Sequence, residues 1–232
     1  MHKREEDFSA HLLQCAQSVE ILIMQKILES LEKLKNSELK KQIDARVCEF
    51  KKLGKESNEE LFKELCFCIL TANFTAERGI KIQKEIGNGF LTLSESELAK
   101  KLKELGHRFP NARAKYIVEA RKYKDELKNM LASKSEHEAR EWLVEYIKGL
   151  GYKEASHFLR NIGFCNCAII DFHIIDALIE SGLVEKQKSK SLSKKKYLEI
   201  ENKLREIAKK SGLNMAELDL YLWCSETGKV LK

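Results

Sequence analysis

The sequence predicts an all-α protein. Apolar residues recur at intervals of three and four, glycines stand where these runs end, and no long alternating apolar–polar run is present. Pro110 is the only proline, so almost nothing along the chain interrupts helix formation. With 232 residues, 43% of them hydrophobic, the chain can form one large core or two smaller ones.

Helices are expected along the whole chain. The expected ranges are 8–35, 38–53, 59–73, 77–87, 98–105, 112–131, the segment from 136 to the glycine pair near 150, 197–210 and 216–226. The expected starts are Ser57 or Asn58, Thr75, Asn111, and the capping boxes Ser94-x-x-Glu97 and Ser135-x-x-Glu138. The helix over 59–73 is apolar on most sides, so it is expected at the centre of the fold.

The charge composition leaves nucleic-acid binding open. A net charge of +6 is a modest positive excess, which permits such binding without establishing it. No apolar run reaches the roughly 18 residues that a membrane span needs, and the first residues lack the apolar core of a secretory signal. We therefore expect a cytoplasmic protein with no membrane contact.

The cysteines indicate reduced thiols. The chain has seven of them, an odd number at irregular spacing, and several lie in apolar helical segments. The pairs Cys66-x-Cys68 and Cys165-x-Cys167 are too sparse to predict a zinc site, so no metal centre is expected.

The most informative stretch is 145–178. Gly149 and Gly151 flank Leu150 between two expected helices, and the absence of a Cβ lets the backbone adopt positive φ and approach a ligand closely. The second helix is expected to begin near Tyr152, with its first N–H groups free to bind a phosphate oxygen. This arrangement suits a grip on a nucleic-acid backbone that does not read bases.

Two residues near this candidate DNA-binding turn are candidates for catalysis. Lys153 lies in the first turn of the second helix, where the positive end of the helix dipole disfavours a second positive charge. The dipole therefore favours the neutral amine, which is the form that attacks carbon. Asp171 follows 18 residues later, just before the segment FHIIDALIE. It either caps that helix or presents a carboxylate to the lysine.

These residues resemble a known family. Gly149-Leu150-Gly151-Tyr152-Lys153-Glu154-Ala155, followed by Ile170-Asp171-Phe172-His173-Ile174, is similar to the helix–hairpin–helix DNA glycosylases that include endonuclease III. The chain resembles in particular the small archaeal-type 8-oxoguanine DNA glycosylase/lyase class, over most of its length. One departure is Phe172, where that class often has a basic residue. Only Cys224 lies beyond Cys167, so the iron–sulfur loop of some relatives has no ligands here.

The resemblance implies a two-lobed fold with a DNA cleft between the lobes. One lobe would comprise residues 1–60 and 186–232, and the other residues 61–185 with the helix–hairpin–helix at about 142–164. Six lysines lie between residues 186 and 196. They form either a solvated loop between the lobes or a flank that contacts phosphate.

The resemblance also implies the roles of individual residues. Lys153 and Asp171 would be catalytic, and Gly149 and Gly151 would anchor the DNA backbone. The other expected DNA contacts are Asn73, Arg108 and His173. The expected base pocket is Phe109, Trp223 and Lys232, whose ammonium and terminal carboxylate would meet the damaged base.

Simpler structural roles compete with these assignments. Asn73 is equally placed to cap the helix that follows it, and Phe109 and Trp223 are of residue types that usually pack in a core.

The function implied is excision of 8-oxoguanine from duplex DNA, followed by strand cleavage through a lysine Schiff base. The same lysine chemistry on another oxidised base, or a non-enzymatic DNA-binding module, are the alternatives. No redox cofactor is implied, although the hairpin carbonyls suit a monovalent cation. The expected partner is duplex DNA containing 8-oxoguanine, bound by a monomer in the cytoplasm, near the nucleoid.

Overall fold

The structure, a computed structural model, describes residues 21–185 and 192–232. Its α-helices are α1 (21–35), α2 (Leu39–Leu53), α3 (Asn58–Thr71), α4 (Ala76–Ile86), α5 (Gly89–Thr92), α6 (Glu95–Glu104), α7 (Pro110–Ala120), α8 (Leu127–Ala132), α9 (Glu136–Tyr146), α10 (Tyr152–Asn161), α11 (Phe172–Glu180), α12 (Lys194–Ser211) and α13 (Met215–Thr227). All regular secondary structure in these ranges is helical, which confirms the predicted fold class.

Helix α3 occupies the centre, as its sequence predicts. Ser57 is its N-cap and accepts a hydrogen bond from the Glu60 N–H at 3.4 Å. Nearly every side chain from Leu61 to Thr71 is buried, and α4, α7, α8 and α10 pack around it. The buried set includes Glu64, a charged residue among apolar side chains.

Most of the predicted helix starts are confirmed. Ser94 and Ser135 both form complete capping boxes with the glutamate three residues later. Thr75 is the N-cap of α4, although its side chain accepts no capping hydrogen bond.

The single helix predicted over 112–131 is wrong. Helix α7 begins at Pro110, whose fixed φ suits the first helical turn, and a 3₁₀ helix over Arg121–Glu126 separates it from α8. A distant residue, Asn58, accounts for the break. Its side chain accepts from the Lys128 N–H at 2.8 Å and donates to the Asp125 carbonyl, so it caps α8 from α3.

The core consists of two clusters of buried apolar residues. One is built from side chains between residues 61 and 167, and the other from side chains at 24–50 and 168–221. Helix α11 belongs to the second cluster, whereas the predicted division placed it with residues 61–185. That division, with 1–60 and 186–232 as the other lobe, stays a prediction.

Two predicted segments fall partly outside the described ranges. Residues 21–35 of the helix predicted over 8–35 are helical, and the rest lies outside the described residues. Of the lysine-rich segment, 186–191 also lies outside them, while Lys194–Lys196 form the first turn of α12 rather than a loop. Among the helices that the structure describes, none is long and apolar enough to cross a membrane.

Candidate active site

In the turn between α9 and α10, Gly149 adopts the positive φ that the sequence predicts for the glycine pair. Gly149 has φ +90°, a conformation that side-chain-bearing residues rarely adopt. A Cβ at this position would lie 2.6 Å from the Tyr116 ring. The turn therefore requires glycine here for both backbone and packing reasons.

Gly151 does not adopt positive φ. Its φ of −96° and ψ of −173° are extended values open to any residue, so positive φ is not the reason for this glycine. A Cβ here would meet only the Glu154 carboxylate, at 3.3 Å. The role of Gly151 in the close approach of a ligand stays a prediction.

Helix α10 begins at Tyr152 and presents its N-terminus beside the turn. Glu154 reaches back and accepts from the Gly151 N–H at 3.2 Å. The N–H groups of Tyr152, Lys153 and Glu154 have no possible partner within the helix, because no residue precedes them by four in it. They form the face that suits a phosphate oxygen.

Lys153 is a half-buried amine on the first turn of α10. Its side chain retains 25% of its exposure, and Nζ lies 3.6 Å from a Glu154 carboxylate oxygen. At that distance the two groups attract each other without a close hydrogen bond.

Asp171 is the N-cap of α11. Its Oδ1 accepts from the Ile174 N–H at 3.0 Å, so the capping alternative raised by the sequence is correct as a structural role. One carboxylate can also act on a neighbouring group, because each oxygen has more than one acceptor site.

The chain that leads into Asp171 is fixed on both sides. Glu201, on α12, accepts from the Ala168 N–H at 2.7 Å and forms a buried bidentate pair with Arg140 of α9, at 2.6 and 2.8 Å. The Tyr197 hydroxyl donates to the Ala168 carbonyl at 2.7 Å. Helices α9 and α12 thereby set the position of Asp171.

A second carboxylate, Asp219, is influenced by the charges of both predicted catalytic residues. Asp219 of α13 is 9% exposed and forms an ion pair with Arg160 of α10. Burial raises the pKa of Asp219 to about 6, against the attraction of Arg160; the carboxylate of Asp171 adds to the rise and the ammonium of Lys153 opposes it. Lys153, Asp171 and Arg160 therefore all influence one buried carboxyl, and we call these four residues the charged cluster.

A neutral histidine lies beside the charged cluster. Burial holds the pKa of His157 well below its usual value, and the cations Arg160, Lys153 and Lys232 lower it further. The ring packs edge-on against Phe67, with centroids 5.6 Å apart. The Lys232 ammonium lies 4.4 Å from the centroid of the same Phe67 ring.

Two buried side chains, His107 before α7 and Arg113 within it, tie the end of α3 to this part of the chain. His107 Nε2 lies 3.0 Å from the Leu70 carbonyl, and Arg113 donates to the Ala72 carbonyl at 2.6 Å. Asn73 follows directly, exposed and with φ +58°. It does not cap α4, because Thr75 does, so the alternative role of Asn73 as a cap is wrong.

The predicted aromatic residues are not core residues. Phe109 is 38% exposed, with the exposed Arg108 guanidinium 5.0 Å from its ring centroid. Trp223 is half-buried and meets the exposed His173 edge-on, with centroids 5.0 Å apart. Both rings remain available to a ligand.

The last four residues, 229–232, which we call the tail, are tied to the protein. Gly228 ends α13 at φ +70°, which turns the chain back off the helix. Lys232 Nζ donates to Glu64 at 2.7 Å and to Gln83, and lies 4.4 Å from the Phe67 ring centroid. The ammonium is therefore engaged within the protein through two of its three donors, and its expected role as a donor to the base stays a prediction.

Sequence reasoning missed part of the charged cluster and its buried neighbours. Glu64, His157, Arg160 and Asp219 are all buried, and none of them was singled out from the sequence. The available signal was a charged residue inside an apolar helical run, which in a folded protein requires a partner. The sequence does not say which partner, since these pairs join residues far apart in the chain.

The described residues contain no cluster of histidine, cysteine, aspartate or glutamate that could hold a metal ion. Six described cysteines are free thiols, and burial raises the pKa of Cys167 to about 12.

The hairpin has neutral carbonyl oxygens that are possible ligands for a cation. Those of Ile147 and Gly151 each accept one N–H, at 3.2 and 2.9 Å, and keep a second lone pair. A monovalent cation at these carbonyls stays a prediction.

Comparison with known proteins agrees with this geometry. Residues 43–213 match the family model of 8-oxoguanine DNA glycosylases. The chain is 58% identical to the 8-oxoguanine DNA glycosylase/AP lyase of Methanocaldococcus jannaschii, over 89% of this chain and 99% of that protein. It is 55% identical to the protein of the same name from Korarchaeum cryptofilum, over 89% of this chain and 98% of that protein.

Solved structures show the same fold. The Methanocaldococcus jannaschii glycosylase/lyase in complex with a 15mer DNA containing 8-oxoguanine superposes with a TM-score of 0.86, covering 89% of this chain and 100% of that chain. The 8-oxoguanine DNA glycosylase of Thermotoga maritima, at 48% identity, gives 0.85 and covers 90% and 100%. The chain belongs to the 8-oxoguanine DNA glycosylase family.

Proposed function

We propose that this protein excises 8-oxoguanine from duplex DNA and then cleaves the strand, with Lys153 as the nucleophile. The observation that carries the proposal is the half-buried amine of Lys153 on the first turn of α10, beside the N–H groups of the helix N-terminus, in a chain whose Asp171 is held as the N-cap of α11. Family membership supplies the activity, and the charged cluster supplies residues able to perform it.

The hairpin would hold the duplex through its backbone. The N–H groups of Tyr152, Lys153 and Glu154 bind a phosphate oxygen, and Gly151 leaves room for it to approach. Asn73 and Arg108 are exposed on neighbouring loops and would enter the DNA duplex near the lesion. Because the glycosidic bond cannot be reached inside the stack, the damaged nucleotide must be extruded towards Lys153.

The chemistry then follows from a neutral amine. Lys153 attacks C1′, the bond from C1′ to the base breaks, and its electron pair leaves with the base, which takes up a proton. The sugar ring opens to a Schiff base on Lys153. Loss of a proton from C2′ expels the 3′ phosphate by β-elimination, and water later releases the amine.

Asp171 would stabilise the positive charge that develops on the sugar. A fixed carboxylate does so without reorganisation, because its capping hydrogen bond to Ile174 already holds it. It is also placed to assist proton transfer, since a carboxylate can accept a proton and return it.

The base pocket would distinguish 8-oxoguanine from guanine at the N7 position of the base. 8-Oxoguanine has a donor there, whereas guanine has an acceptor. A backbone oxygen of Lys232 would pair with the lesion and oppose guanine, with a difference of roughly 1–3 kcal/mol for one unmet buried group. Phe109 and Trp223 would bracket the base with their rings.

The binding partner is duplex DNA that contains the lesion, and one copy of the chain carries all the proposed groups. We infer that the protein works as a monomer where the chromosome is, in the cytoplasm. Association with the nucleoid stays a prediction, as does a contribution from the lysines between 186 and 196.

Borohydride trapping on a panel of duplexes tests the proposal. Duplexes with 8-oxoguanine, an oxidised pyrimidine, an abasic site and no damage are incubated with enzyme and reductant. We expect cross-links to the 8-oxoguanine and abasic duplexes only. A stronger cross-link to the pyrimidine lesion would reassign the substrate, and DNA binding with no cross-link to any duplex would favour a binding module.

A further inference from the structure

Glu64 is the centre of a buried polar chain that begins at the tail. Its Oε2 accepts from Lys232 Nζ at 2.7 Å and from Gln83 Nε2 at 3.0 Å, and its Oε1 accepts from Asn161 Nδ2 at 2.6 Å. The side chain is 3% exposed. A carboxylate buried to this degree needs partners on every side, and here both of its oxygens are engaged.

The series of buried hydrogen bonds continues from Asn161 to Arg160 of α10. Asn161 Oδ1 accepts from Arg160 Nε at 3.1 Å and from Nη2 at 2.8 Å. Arg160 Nη1 pairs with the buried Asp219. One connected set of hydrogen bonds and ion pairs therefore joins the tail to Asp219 of α13, whose pKa responds to the charges of Asp171 and Lys153.

The tail has few other strong attachments. Lys229 pairs with Glu77, but both side chains are more than half exposed, at 56% and 52%. The Val230 carbonyl accepts from Arg46 at 3.5 Å, the limit of a hydrogen bond. Exposed ion pairs contribute little, and chain segments without buried ties fray. Val230 adds apolar packing against the second core cluster, and the Glu64–Lys232 pair is the buried polar attachment among these contacts of the tail.

We propose that Glu64 is a positioning residue for base recognition, which holds the ammonium of Lys232 and thereby places the tail backbone against the damaged base. This inference rests on the proposed function, in which the backbone of Lys232 contacts the base. Glu64 touches neither DNA nor the reacting atoms and acts through Lys232. Gln83 accepts from the same ammonium, which also lies 4.4 Å from the Phe67 ring centroid, so these contacts together with Glu64 hold its position.

The test uses the full chain and two substrates. Single-turnover rates are measured on duplexes carrying 8-oxoguanine and on duplexes carrying an abasic site, since only the first needs the base pocket. The variants are Glu64→Gln, in which an amide faces the ammonium, and Lys232→Met, which removes the ammonium and leaves the backbone.

Each variant is expected to lower 8-oxoguanine excision about tenfold, the effect of one unmet buried group. Abasic-site cleavage should fall several-fold less, because Lys153 is not held through the tail. The double variant should be no worse than the poorer single one, because both changes break the same contact. Glu77→Gln, which removes only the exposed tie of the tail, is the matched control and should act like the wild type.

Three results would overturn the inference: normal 8-oxoguanine excision by folded Glu64→Gln, equal losses on both substrates, or additive losses in the double variant. If Glu64→Gln does not fold, Gln83→Met removes one donor to Glu64 and one acceptor of Lys232 with the charges kept. It should show a smaller loss with the same selectivity, and an unselective one would count against the inference. A wild type inactive on both substrates would instead reject the proposed function itself.

Discussion

Asp171 shows how one side chain can have a structural role and a catalytic one. Its carboxylate caps α11, and the same group lies near enough to Asp219 to change its pKa. The sequence left these roles as alternatives, yet they are compatible, because capping uses only one of the acceptor sites of the carboxylate. Only the catalytic role depends on negative charge.

Asp171→Asn separates the two roles. Asparagine caps helices about as well as aspartate, so the melting temperature should change little. Excision should fall by roughly 100-fold or more, because a neutral amide cannot offset positive charge on the sugar. Thermal unfolding and single-turnover kinetics measure the two effects. Near-normal excision by the stable variant would leave Asp171 with the cap alone.

Asp219 should make stability depend on pH in the direction opposite to most aspartates. Burial raises its pKa to about 6 from an ordinary 3.8, despite the ion pair with Arg160 and the nearby Lys153. A raised folded pKa gives a stabilising contribution that is complete below the unfolded value and is lost as the pH rises through the folded one.

The free energy of unfolding of the wild type, relative to that of Asp219→Asn, should therefore fall between about pH 4 and pH 6, by up to about 3 kcal/mol. Urea unfolding of both proteins across that range measures the difference. A difference independent of pH would mean that the folded protein does not perturb this carboxyl.

At the scale of elements, the hairpin separates two uses of glycine. Gly149 is needed by the fold, since its φ is +90° and the Tyr116 ring occupies the Cβ position, at 2.6 Å. Gly151 has ordinary backbone angles, and only a flexible carboxylate lies near its Cβ position. The first glycine belongs to the packing and the second to the surface that would face DNA.

Alanine at each position should give opposite results. Gly149→Ala should lower the free energy of unfolding by roughly 1–3 kcal/mol through strain and a clash. Gly151→Ala should fold normally, while Gly151→Val, which is bulkier, should weaken affinity for damaged and undamaged duplex alike. Denaturant titration and fluorescence anisotropy distinguish the two effects. Full duplex affinity in folded Gly151→Val would exclude this hairpin as the anchor.

The sequence predicts elements well where the signal is local. The capping boxes at Ser94 and Ser135 and the cap at Ser57 need only neighbouring residues, and all are present. The break after Ala120 could not be predicted in this way, because it depends on Asn58 reaching across from α3. The partner of Glu64 escaped prediction for the same reason, as it lies 168 residues away.

At the scale of the whole molecule, a buried ion pair joins helices on the two sides of the core. Arg140 of α9 and Glu201 of α12 are 1% and 3% exposed. Burial disfavours both charges, but their mutual hydrogen bonds outweigh it and lower the pKa of Glu201. Because Glu201 also holds the Ala168 N–H, the pair links the packing of the helices to the position of Asp171.

Removing one partner of this pair should be costly. Glu201→Ala leaves the Arg140 charge buried without its partner, which typically lowers the free energy of unfolding by about 3–5 kcal/mol. Glu199→Ala, on an exposed position of the same helix, removes only a surface pair with Lys196 and should change it by less than about 1 kcal/mol. Similar losses of unfolding free energy in both variants would show that the Arg140–Glu201 pair stabilises the fold no more than a surface pair does.

The most direct test of the central claim is to locate the covalent bond. Wild-type protein is trapped with borohydride on an 8-oxoguanine duplex, digested and mapped by mass spectrometry, with Lys153→Gln treated in parallel. We expect the sugar adduct on Lys153, and we expect Lys153→Gln to bind the duplex but to give neither adduct nor excision. An adduct on any other amine, or a full-strength cross-link in Lys153→Gln, would contradict the account.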